Sequence, residues 1–429
     1  MTTKIDLFNL IDKNITKPGS WIMAKGEKLN LILRPLIEKS AIKFGSKRKL
    51  TLYLMNKYNL SQSTSERFVW LMKEWPPLFL LKEISELNNL AHLEFQENIN
   101  YLKKNWPPQK VFMAVKELNE ELCKIAGAHA ADGTLTKNFL RITDGYKISL
   151  IKFNNWIEKI FGVKYIIKKV KNSNEWGISF HSGIIVSYMN KILEFPLGSK
   201  VYTVSEPKII KNSELNLKKA FALGALTFEG GISIRNQVEL CVASKGFRDS
   251  ISEILNCLNI NHVKMENKSQ DYWRLWSGNL SKEKAEKWSG LFEEETEKWY
   301  LLKNIVDGYR GKANSFEEAL EILDRVYPPK SASKVCIRDI LLAIKEFNKS
   351  TRYELVDYLC KKKNINSFGG RWAHSLSPYI SVLKNTNIIY TSKEKFGKKK
   401  SFGSIIREVY TYNPNFSEWK MPLTAIKSN

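Results

Sequence analysis

Apolar residues recur at helical spacing through the N-terminal quarter of the chain, which predicts a helical segment. Two neighbouring helices are predicted over residues 47–58 and 62–73. Residues 59–61 read Asn-Leu-Ser, which can end one helix and cap the next. The pair resembles a helix-turn-helix, and an ordinary pair of antiparallel helices is the alternative. The apolar positions that mark the two helices are Leu50, Leu54, Phe68 and Leu71.

The last hundred residues follow a different order of elements. Their pattern predicts three helices, then a strand, a lysine-rich loop and a return strand with alternating polarity. Three helices followed by a hairpin with a basic tip resemble a winged helix. The predicted helices cover residues 333–348, 351–363 and 370–385, and the predicted strands cover 388–391 and 405–412.

Composition and charge narrow the choice of partner. The 429 residues are 43% hydrophobic and 26% charged, which excludes a mostly disordered chain. The net charge is +24, and residues 1–110 and 331–429 carry most of it, with 18 basic residues each against 10 and 7 acidic ones. Such a balance favours nucleic acid, although a charged face can also be merely solvated. The residues that we expect to face DNA in the two flanks are Gln62, Ser63, Ser65, Arg67, Arg371, His374, Ser377, Lys393, Lys395, Lys398, Lys399 and Lys400.

Several other classes of protein are not supported. The chain has no run of about 20 apolar residues, which a membrane span requires. Its first residues lack the charged-then-apolar pattern of a secretory signal, so we expect a cytoplasmic protein without a membrane partner. The five cysteines are scattered without the spacing of a metal site or a disulfide framework, and we expect reduced thiols.

The middle of the chain contains an internal repeat. Residues 122–135 and 219–232 are short runs with small residues at helical spacing, each closed by an acid and a glycine. A strand-like piece, an amphipathic helix (148–161 and 248–258) and two more strands follow each run. The middle segment therefore consists of two similar halves.

The composition of the two runs has a physical explanation. Glycine inside a helix costs about 1 kcal/mol relative to alanine, so Gly127 and Gly224 require a packing reason, such as two helices with their backbones in contact. Asp132 and Glu229 would stand at the helix C-termini, where the macrodipole disfavours a carboxylate unless a cation offsets it. The glycine after each acid predicts a left-handed cap.

The two runs resemble the paired motifs of the LAGLIDADG homing endonucleases, in particular the single-chain, two-motif members of archaea and inteins. Residues 125–133 read Ile-Ala-Gly-Ala-His-Ala-Ala-Asp-Gly, and residues 222–230 read Ala-Leu-Gly-Ala-Leu-Thr-Phe-Glu-Gly. Residues 195–200, Phe-Pro-Leu-Gly-Ser-Lys, resemble the family's Pro-x-Gly-x-Lys element. The resemblance covers roughly residues 111–305. The first motif departs from the usual pattern at His129, which we expect to be a packed residue and not a ligand.

The resemblance implies an α+β fold of the pseudo-twofold αββαββα type. The two small-residue helices would pair about the axis, and two four-stranded sheets would form a concave surface, or saddle, over double-stranded DNA. A β-ribbon fits the major groove and can read base edges there. Each candidate reader could equally belong to a solvated strand face. The candidate readers are Lys169, Lys171, Arg235, Gln237, Glu239, His262, Lys264, Glu266 and Lys268.

The resemblance also implies a site-specific endonuclease that makes a double-strand break. Asp132 and Glu229 would be ligands of Mg²⁺, which prefers carboxylates and water, and the metal site would hydrolyse one phosphodiester on each strand. Lys200 matches the lysine that assists near the attacking water in the family. Its counterpart in the second half is left open between Lys282 and Lys284.

We therefore predict three domains. These are a helical, helix-turn-helix-like domain (1–110), an endonuclease-like domain with two repeats and a helical connector (111–330), and a winged-helix-like DNA-binding domain (331–429). The chain begins with Met and has no His before its final Asn429, so we expect a free-standing protein and not an intein. We also expect a monomer without a small-molecule cofactor. Two alternatives remain, which are a DNA-binding regulator that reuses the saddle without cutting and an RNA maturase.

Overall fold

The described chain divides into two units, each built from helices and antiparallel strands. The first unit comprises residues 1–229, 241–259 and 266–274, and the second comprises residues 230–240, 260–265 and 275–429. Within the described residues, no helix has the length and apolar character needed to cross a membrane. The computed structural model describes residues 3–12, 21–70, 74–105, 110–267, 272–327, 335–365, 376–399 and 403–425.

The N-terminal part of the first unit combines helices with a small sheet. The sheet has the order β1-β2-β3, so the prediction of an entirely helical segment is wrong. These strands have four residues or fewer, too few for their alternation to be distinguished from a helical pattern. The helices are α1 (Leu29–Lys43), α2 (Lys47–Tyr58), α3 (Gln62–Val69), α4 (Leu78–Leu87) and α5 (His92–Phe95), and the strands are β1 (Ile22–Lys25), β2 (Tyr101–Lys104) and β3 (Phe112–Met113).

Helices α2 and α3 are joined by the turn that the sequence predicts. Asn59 ends α2 with φ 49°, in the left-handed region that asparagine tolerates. The Ser61 hydroxyl then accepts a hydrogen bond from the backbone N–H of Thr64 and caps α3. Helix α3 ends at Val69, before the predicted end at residue 73.

The first repeat forms a helix pair with a four-stranded sheet. The sheet has the order β4-β5-β7-β6, and all its pairs are antiparallel. Ile142 and Ile178 lie opposite each other on the two central strands, and both are buried on the face that packs against the helix of residues 147–161. The elements are α6 (Glu120–Asp132), β4 (Gly133–Leu135), β5 (Leu140–Asp144), α7 (Lys147–Phe161), β6 (Ile167–Lys169) and β7 (Trp176–Phe180).

The second repeat has the same order of elements. Its sheet has the order β10-β11-β9-β8, which is the topology of the first sheet with each strand replaced by its counterpart. The short helices α8 (Gly183–Ser187) and α9 (Lys208–Lys211) precede it. Its own elements are α10 (Leu215–Glu229), β8 (Gly231–Ser233), β9 (Gln237–Val242), α11 (Lys245–Cys257), β10 (Val263–Asn267) and β11 (Tyr272–Trp276).

The C-terminal part of the second unit contains six α-helices and a three-stranded sheet of order β12-β14-β13 among the described residues. The hydrophobic core of this part includes Leu323, Ile344, Leu355, Leu383 and Trp419. The elements are α12 (Lys282–Ser289), α13 (Glu297–Asp307), α14 (Phe316–Val326), α15 (Ile337–Phe347), β12 (Lys349–Thr351), α16 (Arg352–Lys362), α17 (Ser377–Asn385), β13 (Ile389–Lys399) and β14 (Gly403–Tyr412).

The predicted lysine-rich loop is largely part of a strand. Strand β13 continues to Lys399, well beyond the predicted end at residue 391. Lys393 and Lys395 lie opposite Glu408 and Ile406 of β14 in antiparallel register. β13 is one of the two edge strands of its sheet, where lysines are a common protection against further pairing.

Candidate active site

Helices α6 and α10 lie backbone to backbone in the first unit. A Cβ atom on Gly127 would lie 2.0 Å from the carbonyl oxygen of Phe221, and one on Gly224 would lie 2.0 Å from the carbonyl oxygen of Lys124. Each contact joins one glycine to the carbonyl of the residue that lies three positions before the other glycine. The two contacts are therefore related by an approximate twofold axis, and glycine is required at both because no side chain fits.

The glycine that follows Asp132 is explained by a neighbouring side chain and not by a left-handed turn. Gly133 has φ −82°, in the extended region, so the predicted left-handed cap is wrong. The glycine after the second acid, Gly230, is likewise not among the described glycines with positive φ. A Cβ atom on Gly133 would lie 2.1 Å from Nδ1 of His129. Gly133 thus leaves space for the imidazole at the end of α6.

Lys200 reaches the C-terminal end of α6. Gly198, with φ +95°, turns the chain before the lysine, and its N–H donates to the carbonyl oxygen of Leu135 at 2.8 Å. The Lys200 Nζ donates to the carbonyl oxygens of Ala130 (2.7 Å) and Ala131 (3.1 Å). The ammonium therefore lies where a helix presents unpaired carbonyls and the negative end of its dipole.

The two acids at the ends of the helix pair act on this one ammonium. Burial lowers the pKa of Lys200 to about 8, while the carboxylates of Asp132 and Glu229 oppose that change and raise the pKa. Lys200 is thus the cation that offsets an acid at a helix C-terminus. The structure brings these three sequence-predicted residues into one electrostatic cluster.

His129, one turn before the end of α6, is close enough to Lys200 to be affected by its charge and is fully buried. Its ring packs edge-on against Phe195, with 4.6 Å between the ring centroids. Neither ring nitrogen has a hydrogen-bond partner, and burial, followed by the charge of Lys200, holds the pKa of His129 well below its usual range. The imidazole is therefore neutral and packs as an apolar ring.

Asp132 and Glu229 are the two side chains of this cluster that could ligate a metal ion. Among the described residues, no group of three or more His, Cys, Asp and Glu side chains is arranged to hold a metal ion. Mg²⁺ is usually held by one or two carboxylates together with water and substrate phosphates, and not by a cage made of protein alone. Asp132 and Glu229 supply that number of carboxylates.

The solvent-facing side of the first sheet is basic. Thr134, Arg141 and Ser179 share one row across three strands, and Lys168 lies opposite Gly177 in another. A cavity of about 680 Å³ opens on this face. The cationic residues that line the cavity are Lys110, Arg141, Lys164, Lys168, Lys169 and Lys171.

Two of the predicted readers, Lys169 and Lys171, line this cavity. Lys169 lies opposite Trp176 in the register, and its ammonium is 5.9 Å from the centre of that ring. Sequence reasoning missed Arg141 and Lys168. The alternation of β5, with Arg141 between two buried residues, is a signal that could have identified the first of them.

The residues of the second repeat that were predicted to read base edges do not all lie in strands. Gln237 and Glu239 lie on β9, opposite Ser233 and Gly231. Arg235 is exposed in the turn before β9 and not in a strand. Lys264, Glu266 and His262 lie on or just before the edge strand β10, and Lys268 lies outside the described residues.

In the N-terminal flank, Ser65 is buried, so the prediction that it faces DNA is wrong. Ser65 lies on the side of α3 that carries the buried Phe68 and Val69. Gln62, Ser63 and Arg67 line a groove of about 700 Å³ between α2 and α3.

In the C-terminal flank, Ser377 begins α17, whereas Arg371, His374 and Lys400 lie outside the described residues. Lys398 and Lys399 belong to the end of β13. Lys282 and Lys284, the two candidates for a second lysine, are exposed in the first turn of α12 in the second unit.

Comparison with known proteins gives fold similarity over part of the chain. No protein-family model matches the sequence, and no curated protein matches it. A structure of mesophilic variants of the homing endonuclease I-DmoI is 14% identical, covers 40% of this chain and 94% of that chain, and has a TM-score of 0.32. Other I-DmoI structures contain DNA with Mn or Ca.

The second group of similar structures is DUF199/WhiA. Its N-terminal LAGLIDADG domain is 14% identical, covers 48% of this chain and 86% of that chain, and has a TM-score of 0.29. Full-length DUF199/WhiA from Thermatoga maritima is 13% identical, covers 62% of this chain and 91% of that chain, and has a TM-score of 0.30. At such scores these similarities do not assign a function to the chain.

Proposed function

We propose that the chain is a DNA endonuclease that hydrolyses phosphodiesters at the ends of α6 and α10. The observation that carries the proposal is the position of Lys200, whose ammonium binds the last carbonyls of α6 and is acted on by both Asp132 and Glu229. Acids at helix C-termini and a partly desolvated ammonium both cost folding free energy. A costly cluster of this kind is typical of a site that performs chemistry.

The acid pair supplies the ligands that such chemistry needs. Asp132 and Glu229 would hold a divalent cation, with Mg²⁺ as the first candidate, together with a phosphate of the DNA. When bound, the ion would neutralise phosphate charge and lower the pKa of a bound water.

The remaining groups of the cluster act on the phosphate. In hydrolysis a water oxygen bonds to phosphorus, one ester bond breaks, and the departing oxygen takes up a proton. Negative charge builds up on the phosphate oxygens as this occurs, and the Lys200 ammonium would stabilise it. The carbonyls of Ala130 and Ala131 hold the ammonium in place beforehand, so little reorganisation is required.

DNA is the proposed substrate because cationic surfaces accompany the cluster. Arg141 and Lys168 face solvent on the first sheet, beside the lysines that line the same cavity. In the same proposal Gln62 and Arg67 of α3 and the α17–β13–β14 region bind flanking DNA, as helix-turn-helix and winged-helix elements would. Phosphate contacts of this kind make the affinity strongly dependent on salt.

The test begins with binding selection from a randomised duplex library in the presence of a chelator. The selected duplex is then incubated with the protein and Mg²⁺ or Mn²⁺. We expect cleavage, and we expect Asp132→Asn and Glu229→Gln to cut about 100-fold more slowly or worse while binding the same duplex. Glu158→Gln, which removes an exposed acid of α7, is the matched control and should cut normally. Normal cleavage by both acid variants would refute the proposal.

A second candidate is a DNA-binding regulator that does not cut. The observation that favours it is the helix-turn-helix-like pair α2 and α3, whose groove is lined by Gln62, Ser63 and Arg67. In the same assay this function gives sequence-specific binding that chelation does not change, without nicking in any metal. Competition by structured RNA that exceeds competition by duplex DNA would instead favour an RNA-binding role.

A further inference from the structure

The turn that follows Lys200 presents two apolar side chains to solvent. Val201 is 52% exposed and Tyr202 is 73% exposed. Isolated exposed apolar residues are common on protein surfaces and need no explanation. These two are adjacent to each other and begin one residue after the ammonium that contacts the end of α6.

This turn is held at both ends. The Lys200 carbonyl accepts hydrogen bonds from the N–H groups of Thr203 (3.1 Å) and Val204 (3.0 Å). Val204 is buried, and its own carbonyl accepts a hydrogen bond from the Ser244 hydroxyl at 2.6 Å. Since the Lys200 side chain is fixed as well, residues 201–203 form a short arch on a rigid base. The tyrosine is thus presented to solvent two residues after the lysine whose ammonium contacts the end of α6.

An exposed tyrosine on a turn that is held at both ends suits one kind of contact with a duplex. Apolar side chains inserted between base steps unstack them and bend the DNA, which brings more of the duplex against the protein. An aromatic ring also recovers stacking with the base that it displaces, whatever the base. In the proposed endonuclease the acids at two packed helix ends fix where the phosphates must come, so the duplex has to adapt to them.

We infer that Tyr202, supported by Val201, inserts into the base stack beside the cleaved phosphate and opens it. The inference rests on the proposed function, because it takes the bound duplex to lie across Lys200. It makes Tyr202 a positioning residue, which acts on the conformation of the DNA and not on the reacting atoms.

The experiment places 2-aminopurine, whose fluorescence rises on unstacking, at successive positions of the selected duplex. Full-length Asp132→Asn protein is used so that the DNA stays intact. We expect one or two adjacent positions to brighten on binding, and we expect the added Tyr202→Ala change to remove that signal. Tyr202→Phe and Tyr202→Trp should retain it. Leu31→Ala removes a side chain that is 75% exposed on α1, and this control should retain it also.

Cleavage rates give a second readout in the chain with both acids intact. Tyr202→Ala should cut about ten- to a hundred-fold more slowly, while Tyr202→Phe should cut at the normal rate.

Unchanged fluorescence and unchanged cleavage in Tyr202→Ala would overturn the inference without affecting the role of Asp132. If the bound protein never cuts DNA, the proposed function fails, and the fluorescence signal still decides whether Tyr202 unstacks a base. A dimer that Tyr202→Ala dissociates, with no fluorescence change on DNA, would assign the residue to contact with a second copy and also overturn the inference.

Discussion

Gly127 lies directly against the carbonyl oxygen of Phe221, at a distance that leaves no space for a methyl group. We therefore expect Gly127→Ala to lower the free energy of unfolding by about 3 kcal/mol or more, because the two helices must separate to admit the Cβ atom. Urea denaturation followed by circular dichroism measures the change. Gly145→Ala is the control, since a Cβ atom there has nothing within 4 Å and unfolding should shift by less than about 1 kcal/mol. Equal urea midpoints for Gly127→Ala and the wild type would contradict the backbone contact.

The reciprocal contact of Gly224 with the Lys124 carbonyl gives a second prediction. Once one alanine has forced α6 and α10 apart, the other should cost less. The double variant should therefore be more stable than the sum of the single changes implies, by about 0.5–3 kcal/mol. The measurement is a double-mutant cycle on the variants that remain folded. Strict additivity would mean that the two contacts are independent of each other.

Much of the helix pair could be predicted from the sequence because its determinants are local. Small residues, an acid and a glycine at fixed spacing indicate α6 and α10, whereas Lys200 was indicated only by the resemblance of residues 195–200 to the Pro-x-Gly-x-Lys element. The left-handed cap at Gly133 was predicted wrongly because the cause of that glycine is the ring of His129, which a rule based on sequence spacing does not include.

Features that depend on pairing between distant residues could not be predicted. Strand β1 pairs with β2, which follows almost eighty residues later, and neither has enough alternation to be recognised alone. Lys168 and Lys169 are adjacent lysines in a basic stretch, and the sequence alone does not indicate how their positions in the sheet differ. Only the register with β7 separates them, because it sets Lys168 opposite Gly177 and Lys169 opposite Trp176.

Arg141 provides a test of the basic face of the first sheet. If this face binds phosphates, Arg141→Ala should weaken binding of the selected duplex, and the slope of log affinity against log salt should fall by about 1. Titrations at several salt concentrations measure both quantities. Arg34→Ala, which removes an exposed arginine of α1, is the matched control and should leave the slope unchanged. An equal loss of affinity and an equal change of slope in both variants would mean that net charge, and not this face of the sheet, causes the effect.

Glu206 gives a prediction about pH. The side chain is 6% exposed and its Oε1 has no hydrogen-bond partner. Burial raises the pKa of Glu206 from 4.5 to about 7, in spite of the opposing charges of Lys218 and Lys211. Between these two values the folded protein keeps a proton that the unfolded chain releases. Stability due to this group is therefore present below pH 4.5 and is lost as the pH rises through about 7.

Glutamine at this position resembles the protonated acid and cannot ionise. Glu206→Gln should therefore match the wild type near pH 4.5 and exceed it in stability by about 1–3 kcal/mol at pH 8. Thermal unfolding at the two pH values measures the difference. Glu158→Gln, which removes an exposed ion pair with Lys164 on α7, should change stability by less than about 1 kcal/mol at either pH. A gain of the same size at both pH values would mean that the substitution improves packing, and that the carboxyl of Glu206 is not protonated in the folded protein at neutral pH.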